Sequence, residues 1–373
     1  MSQLKSETEG SDQTPAALSA LFPALFIERL VEPLFAEAPR AEVAEAWLGA
    51  PLAYACARMC HSPEVDLQAL HGRAAHESMG SRKTRSRAVE LAGDLAAEGI
   101  DAVAFKGLAT ALGVYPLAAY RLLPDVDFLF READLPRLAE CLSARGYVTG
   151  VDLQAIRPWG VLAEASFAPI FQADREFFVD VHRAVDERPA SLGLDAETIF
   201  ARSVRVDTEW GSCRVASHEH GFAIAALNLY RDFYRPEALK GLFDGCLILN
   251  RFEGRLDWAH IEAVARRGRF VNRLVFFREL LEALGAGRAP LFEDRPLARW
   301  LRPSLAVVVE NCRSLDWLVM SDARKMLLEA GLLDSPLATV RLHWRRLRGL
   351  SAPPIHYLPG LPVVNVGEPP PPA

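Results

Sequence analysis

The sequence predicts an α+β protein, with a small sheet-bearing unit set between two helical stretches. Three observations lead there. Over residues 17–98 apolar side chains recur at roughly helical spacing among abundant Ala, Leu and Glu. From Gly99 to about residue 185 the pattern becomes short apolar runs separated by amphipathic helices. From about residue 195 helical spacing returns. The implied organisation is a disordered lead (1–16), an N-terminal helical region (17–98), the sheet-bearing core (99–200), a C-terminal helical domain (201–350) and a proline-rich tail (351–373).

The elements follow in order. "ALSALFPALFIERLVEPLF" and "AEVAEAWLGAPLAYACARM" read as helices, and "VDLQALHGRAAHESMGSRKTRSRAVELAGDLAAEG" continues as a long amphipathic helix or pair. "IDAVAFKG" is a short strand ending in Lys106-Gly107, "LATALGVY" a short helix, "DVDFLF" a second strand and "READLPRLAECLSARGY" an amphipathic helix. "FAPIFQ" and "EFFVDVHRAV" read as further strands. Helices then return, with Asp257 and Ser335 as N-caps. The end, "GEPPPPA", predicts an extended or disordered tail.

Composition narrows the function classes. Half of the 373 residues are hydrophobic and 24% are charged, ordinary for a globular chain with a real core. A net charge of −6 argues against a whole-surface grip on nucleic acid. Six scattered cysteines predict buried, reduced thiols. Cys56, Cys60 and His61 lack the second cluster that a zinc site needs. The first fifteen residues have no apolar signal core, and no apolar run is long enough to span a bilayer. A cytoplasmic location is expected.

The chemistry concentrates in "PDVDFLF". Asp is among the residues least welcome in strands, yet Asp125 and Asp127 sit one residue apart in an apolar one. Alternate side chains share a strand face, so the pair points one way, roughly 7 Å apart. A divalent cation resolves the repulsion, because adjacent carboxylates make an oxygen site suited to Mg²⁺. The alternative is a solvated edge strand. In "EFFVDVHRAV" Asp180 and His182 share a face, and a third carboxylate again interrupts an apolar strand. If the strands are neighbours, the three carboxylates form a cage for two metals about 4 Å apart, which serves in-line displacement at phosphorus. Lys106-Gly107, at a strand end where a helix begins, suits a triphosphate. Arg121 could fork to phosphate oxygens or pair with the aspartates. Asp244 and Lys240, four apart on a helix, read as a surface ion pair.

Lys106-Gly107, Tyr115-Pro116, Arg121, Asp125-x-Asp127, a helix ending Arg145-Gly146-Tyr147, and Val179-Asp180-Val181-His182 together resemble the uncharacterised bacterial nucleotidyltransferases of the DNA polymerase beta superfamily. The resemblance extends over roughly residues 80–285. His218 or His220 opening a helix, Lys240 with Asp244, and Asp257-Trp258 also look like that family. It implies a mixed sheet with helices, a Mg²⁺ or Mn²⁺ site at Asp125, Asp127 and Asp180, and a nucleoside triphosphate donor. Lys106, Gly107, Arg121 and His182 are the candidate donor-binding residues, and His182 reads equally as an orienter of a carboxylate or as a hydrogen-bonded histidine beside the core. Where the wider superfamily has Gly-Ser in its phosphate loop, this chain has Lys-Gly, which would grip phosphates by charge.

The expected reaction moves a nucleoside monophosphate from the triphosphate to an acceptor hydroxyl or phosphate, releasing pyrophosphate. A small-molecule acceptor is favoured over tRNA or protein. For RNA, Arg341, Arg345, Arg346 and Arg348 gather around Trp344, and "ARRGR" lies upstream; such clusters are more often solvated helix faces. The rival readings are a non-catalytic nucleotide- or protein-binding member of the fold, and a toxin-like transferase acting on tRNA or protein.

Overall fold

The structure, a computed structural model, describes residues 20–151, 165–172, 177–232, 238–315 and 358–365, with scattered positions between 328 and 344. Two short helical turns, Ala24–Phe26 and Glu32–Phe35, are joined by the π-helical stretch Ile27–Val31. Helices α1 (Ala38–Leu48), α2 (Ala50–Met59) and the long α3 (Leu67–Ala97) follow. Asp66 caps α3, its carboxylate accepting from the Gln68 and Ala69 amides.

The sheet then begins. Strand β1 (Val103–Phe105) leads directly into α4 (Lys106–Gly113), β2 (Val126–Leu129) into α5 (Leu135–Ala144), and β3 (Tyr147–Val151), β4 (Ile170–Gln172) and β5 (Phe178–His182) complete the centre. Helix α6 (Ala196–Ala201) precedes the hairpin β6 (Val204–Thr208) and β7 (Gly211–Val215). Helices α7 (His218–Asp232), α8 (Ala238–Arg251), α9 (Trp258–Gly268), α10 (Val271–Ala283) and α11 (Arg302–Ser314) follow, and β8 (Val363–Asn365) ends the described chain.

The fold is α+β around a mixed sheet, as expected. Its eight strands run in the order β6-β7-β1-β2-β5-β4-β3-β8. The pairs β7/β1, β2/β5 and β3/β8 are parallel and the others antiparallel. The sheet draws on more chain than residues 99–200. The β6/β7 hairpin adds one edge, and Val363–Asn365, in the tail expected to be extended or disordered, adds the other. Central strands β1, β2 and β5 bury Ala104, Val126, Phe128, Val179 and Val181 with Leu91, Leu95, Leu108 and Leu138 from the surrounding helices.

The N-terminal and C-terminal helices share one core. Phe22 and Phe26 pack against Phe243 of α8, with ring centroids 5.4 and 5.5 Å apart. Arg29 donates to the Ala283 carbonyl at 3.1 Å, and Arg313 donates to the Arg29 carbonyl at 2.9 Å. This second core meets the sheet through Phe105 and Leu129, so α7 and α8 are held against one end of β1 and β2. No helix among the described residues is long and apolar enough to cross a membrane.

Candidate active site

The site is built where β1 ends. Phe105 is extended, and Lys106 then takes a left-handed φ of 52° as the first residue of α4. For a residue with a side chain this costs about 1–2 kcal/mol, and such strain collects at functional positions. The turn sends the Lys106 side chain toward β2, where Phe105 is paired with Asp127. Gly107 comes next because a Cβ there would meet Leu123 Cδ2 at 2.9 Å. Its absence lets the start of α4 lie against the chain entering β2.

Asp127 is buried and stands opposite Asp180 in the parallel β2/β5 register, and Leu129 stands opposite His182. Asp127 Oδ1 accepts from the Lys106 ammonium and lies 2.9 Å from His182 Nε2. His182 is buried edge-on to Phe105, ring centroids 4.8 Å apart. Donor atoms of Asp127, Asp180 and His182 all lie within 4.8 Å of one another, the metal-sized grouping found among the described residues. Asp125 falls outside that grouping. β2 begins only at Val126, so Asp125 occupies the bend before the strand rather than a paired position on it. It still lines the same cleft as Lys106, Gly107, Arg121 and Asp127.

Electrostatics separate the three carboxyls. For Asp127 burial works upward, but Lys106 and His182 outweigh it and hold the group well below the usual carboxylate range. For Asp180 burial, then Asp127 and Asp125, push the pKa up to about 7, against a smaller opposing pull from Lys106. Asp125 is also raised, first by burial and then by Asp127, while Lys106, Lys240 and Arg121 act the other way. One carboxylate is thus firmly ionised and its neighbour is poised near neutrality. Two carboxylates and an imidazole form a donor set compatible with a divalent metal.

Arg121 borders the cleft, but its partner is neither Asp125 nor Asp127. Its Nε donates to Asp244 Oδ1 and Oδ2 at 3.0 and 3.2 Å, and its Nη2 donates to Oδ2 at 3.0 Å. Nη1 donates to the Leu122 carbonyl at 3.0 Å, and Tyr115 donates its hydroxyl to Asp244 Oδ1 at 2.9 Å. Asp244 is therefore buried, not half of a surface pair with Lys240. The Lys240 ammonium instead lies 5.5 Å from the Trp47 ring centroid, within cation–π range. The helical wall of the cleft comprises Ala225, Asn228 and Leu229 of α7 and Lys240, Gly241 and Asp244 of α8. The signal for Asp244 was present: an acid in "ALKGLFDGCLIL", a helix apolar nearly all round.

The remaining candidates lie elsewhere. His218 stacks on Phe252, and His220 bonds His260, Nε2 to Nε2 at 2.9 Å. Asp257 caps α9 as expected, while Ser335 lies outside the described residues. So do Arg345, Arg346 and Arg348 of the basic cluster. In the upstream basic run, Arg267 donates to the Leu192 and Gly193 carbonyls. Cys56, Cys213, Cys246 and Cys312 are free and buried, and Cys60 and Cys141 are free and half-buried.

A family model described as "Uncharacterised nucleotidyltransferase" matches residues 42–285. The chain belongs to this family. The match begins in α1, earlier than the resemblance read from motifs, and takes in both walls of the cleft. No curated protein matches the chain. Membership in the nucleotidyltransferase family supports a general nucleotidyl-transfer role and implies a nucleotide substrate.

Two predictions follow from the geometry. Asp244→Ala strands a buried guanidinium and is expected to cost about 3–5 kcal/mol in urea unfolding, with Arg121→Met/Asp244→Leu costing less. A loss under about 1 kcal/mol in the single variant would contradict the assigned pairing. The second concerns Asp180, whose carboxyl is raised in the fold above its ordinary 3.8. Its stabilising contribution is present below that ordinary value and is lost as pH rises through about 7. With chelator present, Asp180→Asn should therefore gain on the wild type as pH rises from about 4, levelling off above about 7. A stability gap that ignores pH would refute the raised pKa that burial and the neighbouring carboxylates give Asp180.

Proposed function

We propose that this chain is a Mg²⁺- or Mn²⁺-dependent nucleotidyltransferase that moves a nucleoside monophosphate from a nucleoside triphosphate to an acceptor hydroxyl or phosphate and releases pyrophosphate. The observation that carries the reading is the in-register facing of Asp127 and Asp180, beside a cleft that Asp127 lines with Asp125 and Lys106. Such a facing costs free energy and has no use in a core. Its chemistry matches the transfer that the family's description implies.

Asp127 and Asp180 would hold the metal, with Asp125, which lines the same cleft outside their grouping, as a third carboxylate. A divalent ion bound there supplies charge neutralisation at the phosphates and lowers the pKa of the attacking oxygen. Asp180, raised to about 7 while the site holds no cation, would be ionised once a metal binds, and is then the carboxylate placed to help take the acceptor's proton. His182, donating from Nε2, orients Asp127; that nitrogen becomes a ligand only by giving up its proton. Lys106 and Gly107, which line the cleft, would face the phosphates. Arg121 carries five N–H donors, more than its bonds to Asp244 and Leu122 use, so it can serve the phosphates from a fixed position. Helices α7 and α8 form the acceptor wall, where Asn228 and Lys240 offer polar contacts beside Ala225 and Leu229. A pocket of mixed polar and apolar lining suits a small-molecule acceptor.

Pyrophosphate release should be measured with each ribonucleoside triphosphate against a panel of hydroxyl-bearing small molecules, tRNA and protein. Release with a small-molecule acceptor is expected, falling by about 100-fold or more in Asp127→Asn. Release only with tRNA or protein would move the acceptor to those classes. Nucleotide binding with no release from any acceptor would favour the non-catalytic reading.

A further inference from the structure

We infer that Lys106 is an exchangeable counter-ion, bonded to Asp127 before loading and to the nucleotide's phosphates after it, so that metal and nucleotide bind cooperatively. The inference rests on the nucleotidyltransferase reading of the same site. Its basis is geometric. The Lys106 ammonium and His182 Nε2 both contact a single oxygen, Oδ1 of Asp127. Asp127 also belongs to the metal-sized group with Asp180 and His182. A cation in that group and the Lys106 ammonium would compete for one carboxylate and repel each other at contact distance.

The geometry gives Lys106 somewhere to go. Its backbone is the first residue of α4, at the mouth of the cleft that Gly107, Arg121 and Lys240 also line. Its side chain is 18% exposed, against 7% for Asp127, and both residues line the cleft. A short rotation about the lysine stem, four flexible carbons long, moves the charge from Asp127 to a phosphate without moving the backbone. His182 stays on Asp127 and preserves its orientation. Without nucleotide, Lys106 opposes the metal. With nucleotide, the phosphates draw the ammonium away and supply metal ligands. Each ligand therefore raises the affinity for the other by the same factor.

Calorimetric titration with Mn²⁺, with and without a nucleoside triphosphate analogue whose α–β bridge resists cleavage, tests this on the full chain. The wild type should bind Mn²⁺ weakly alone and about tenfold or more tighter with the analogue. Lys106→Met keeps the length and backbone of the side chain and removes the charge. It should bind Mn²⁺ alone about tenfold tighter than the wild type and lose most of the tightening by nucleotide. Lys106→Arg, which retains a cation, should keep weak binding in the absence of nucleotide and so separates charge from folding defects. If the wild type binds the analogue but Lys106→Met binds Mn²⁺ no tighter than the wild type, the exchange is wrong and the transferase reading survives. If the wild type binds no nucleotide in the presence of Mn²⁺, both fail.

Discussion

Two aspartates face each other across a parallel strand pair, and the surroundings of Asp127 and Asp180 answer that repulsion. Lys106 and His182 stabilise one carboxylate as an anion. Burial and the neighbouring charges leave the other near neutrality. The left-handed turn at Lys106 is the local consequence, because it brings the cation at the end of β1 onto β2. A structural core gains nothing from such an arrangement, whereas a site that must receive cations and phosphates does.

The helical regions complete the cleft rather than flank it. Phe22 and Phe26 pack on Phe243, one residue before Asp244, and Asp244 fixes Arg121 just ahead of Asp125. The N-terminal helices thus brace the helix that positions the loop entering β2. The family match, from residue 42, takes in Phe243, Asp244 and Arg121 but begins after Phe22 and Phe26. Asn228 of α7 and Lys240 of α8 line the cleft, and both helices pack into the second core.

Much of this was legible in the sequence, where the signals were local. Acids inside apolar runs marked Asp125, Asp127 and Asp180, and the change of period at Gly99 marked the start of the sheet. Long-range relations were not legible. Nothing in either strand states that Asp180 lies opposite Asp127, since register comes from packing across the sheet. Arg121 could not choose among Asp125, Asp127 and Asp244 because its partner lies on a distant helix. The β6/β7 hairpin escaped notice because its strands are short, half-polar and exposed at the edge, and β8 because three residues carry too little pattern. The shared core of the two helical regions was invisible for the same reason: helical period reveals an apolar face but not what covers it.

The most direct test is the thermal shift of the wild type with each of the four ribonucleoside triphosphates, with and without Mg²⁺, beside Asp125→Asn/Asp127→Asn. Ligand binding to the native state raises the melting temperature by mass action. A shift that requires both nucleotide and Mg²⁺, and that the double variant lacks, is the predicted result. No shift with any nucleotide, or an undiminished shift in the double variant, would contradict the assignment of this cleft as the donor site.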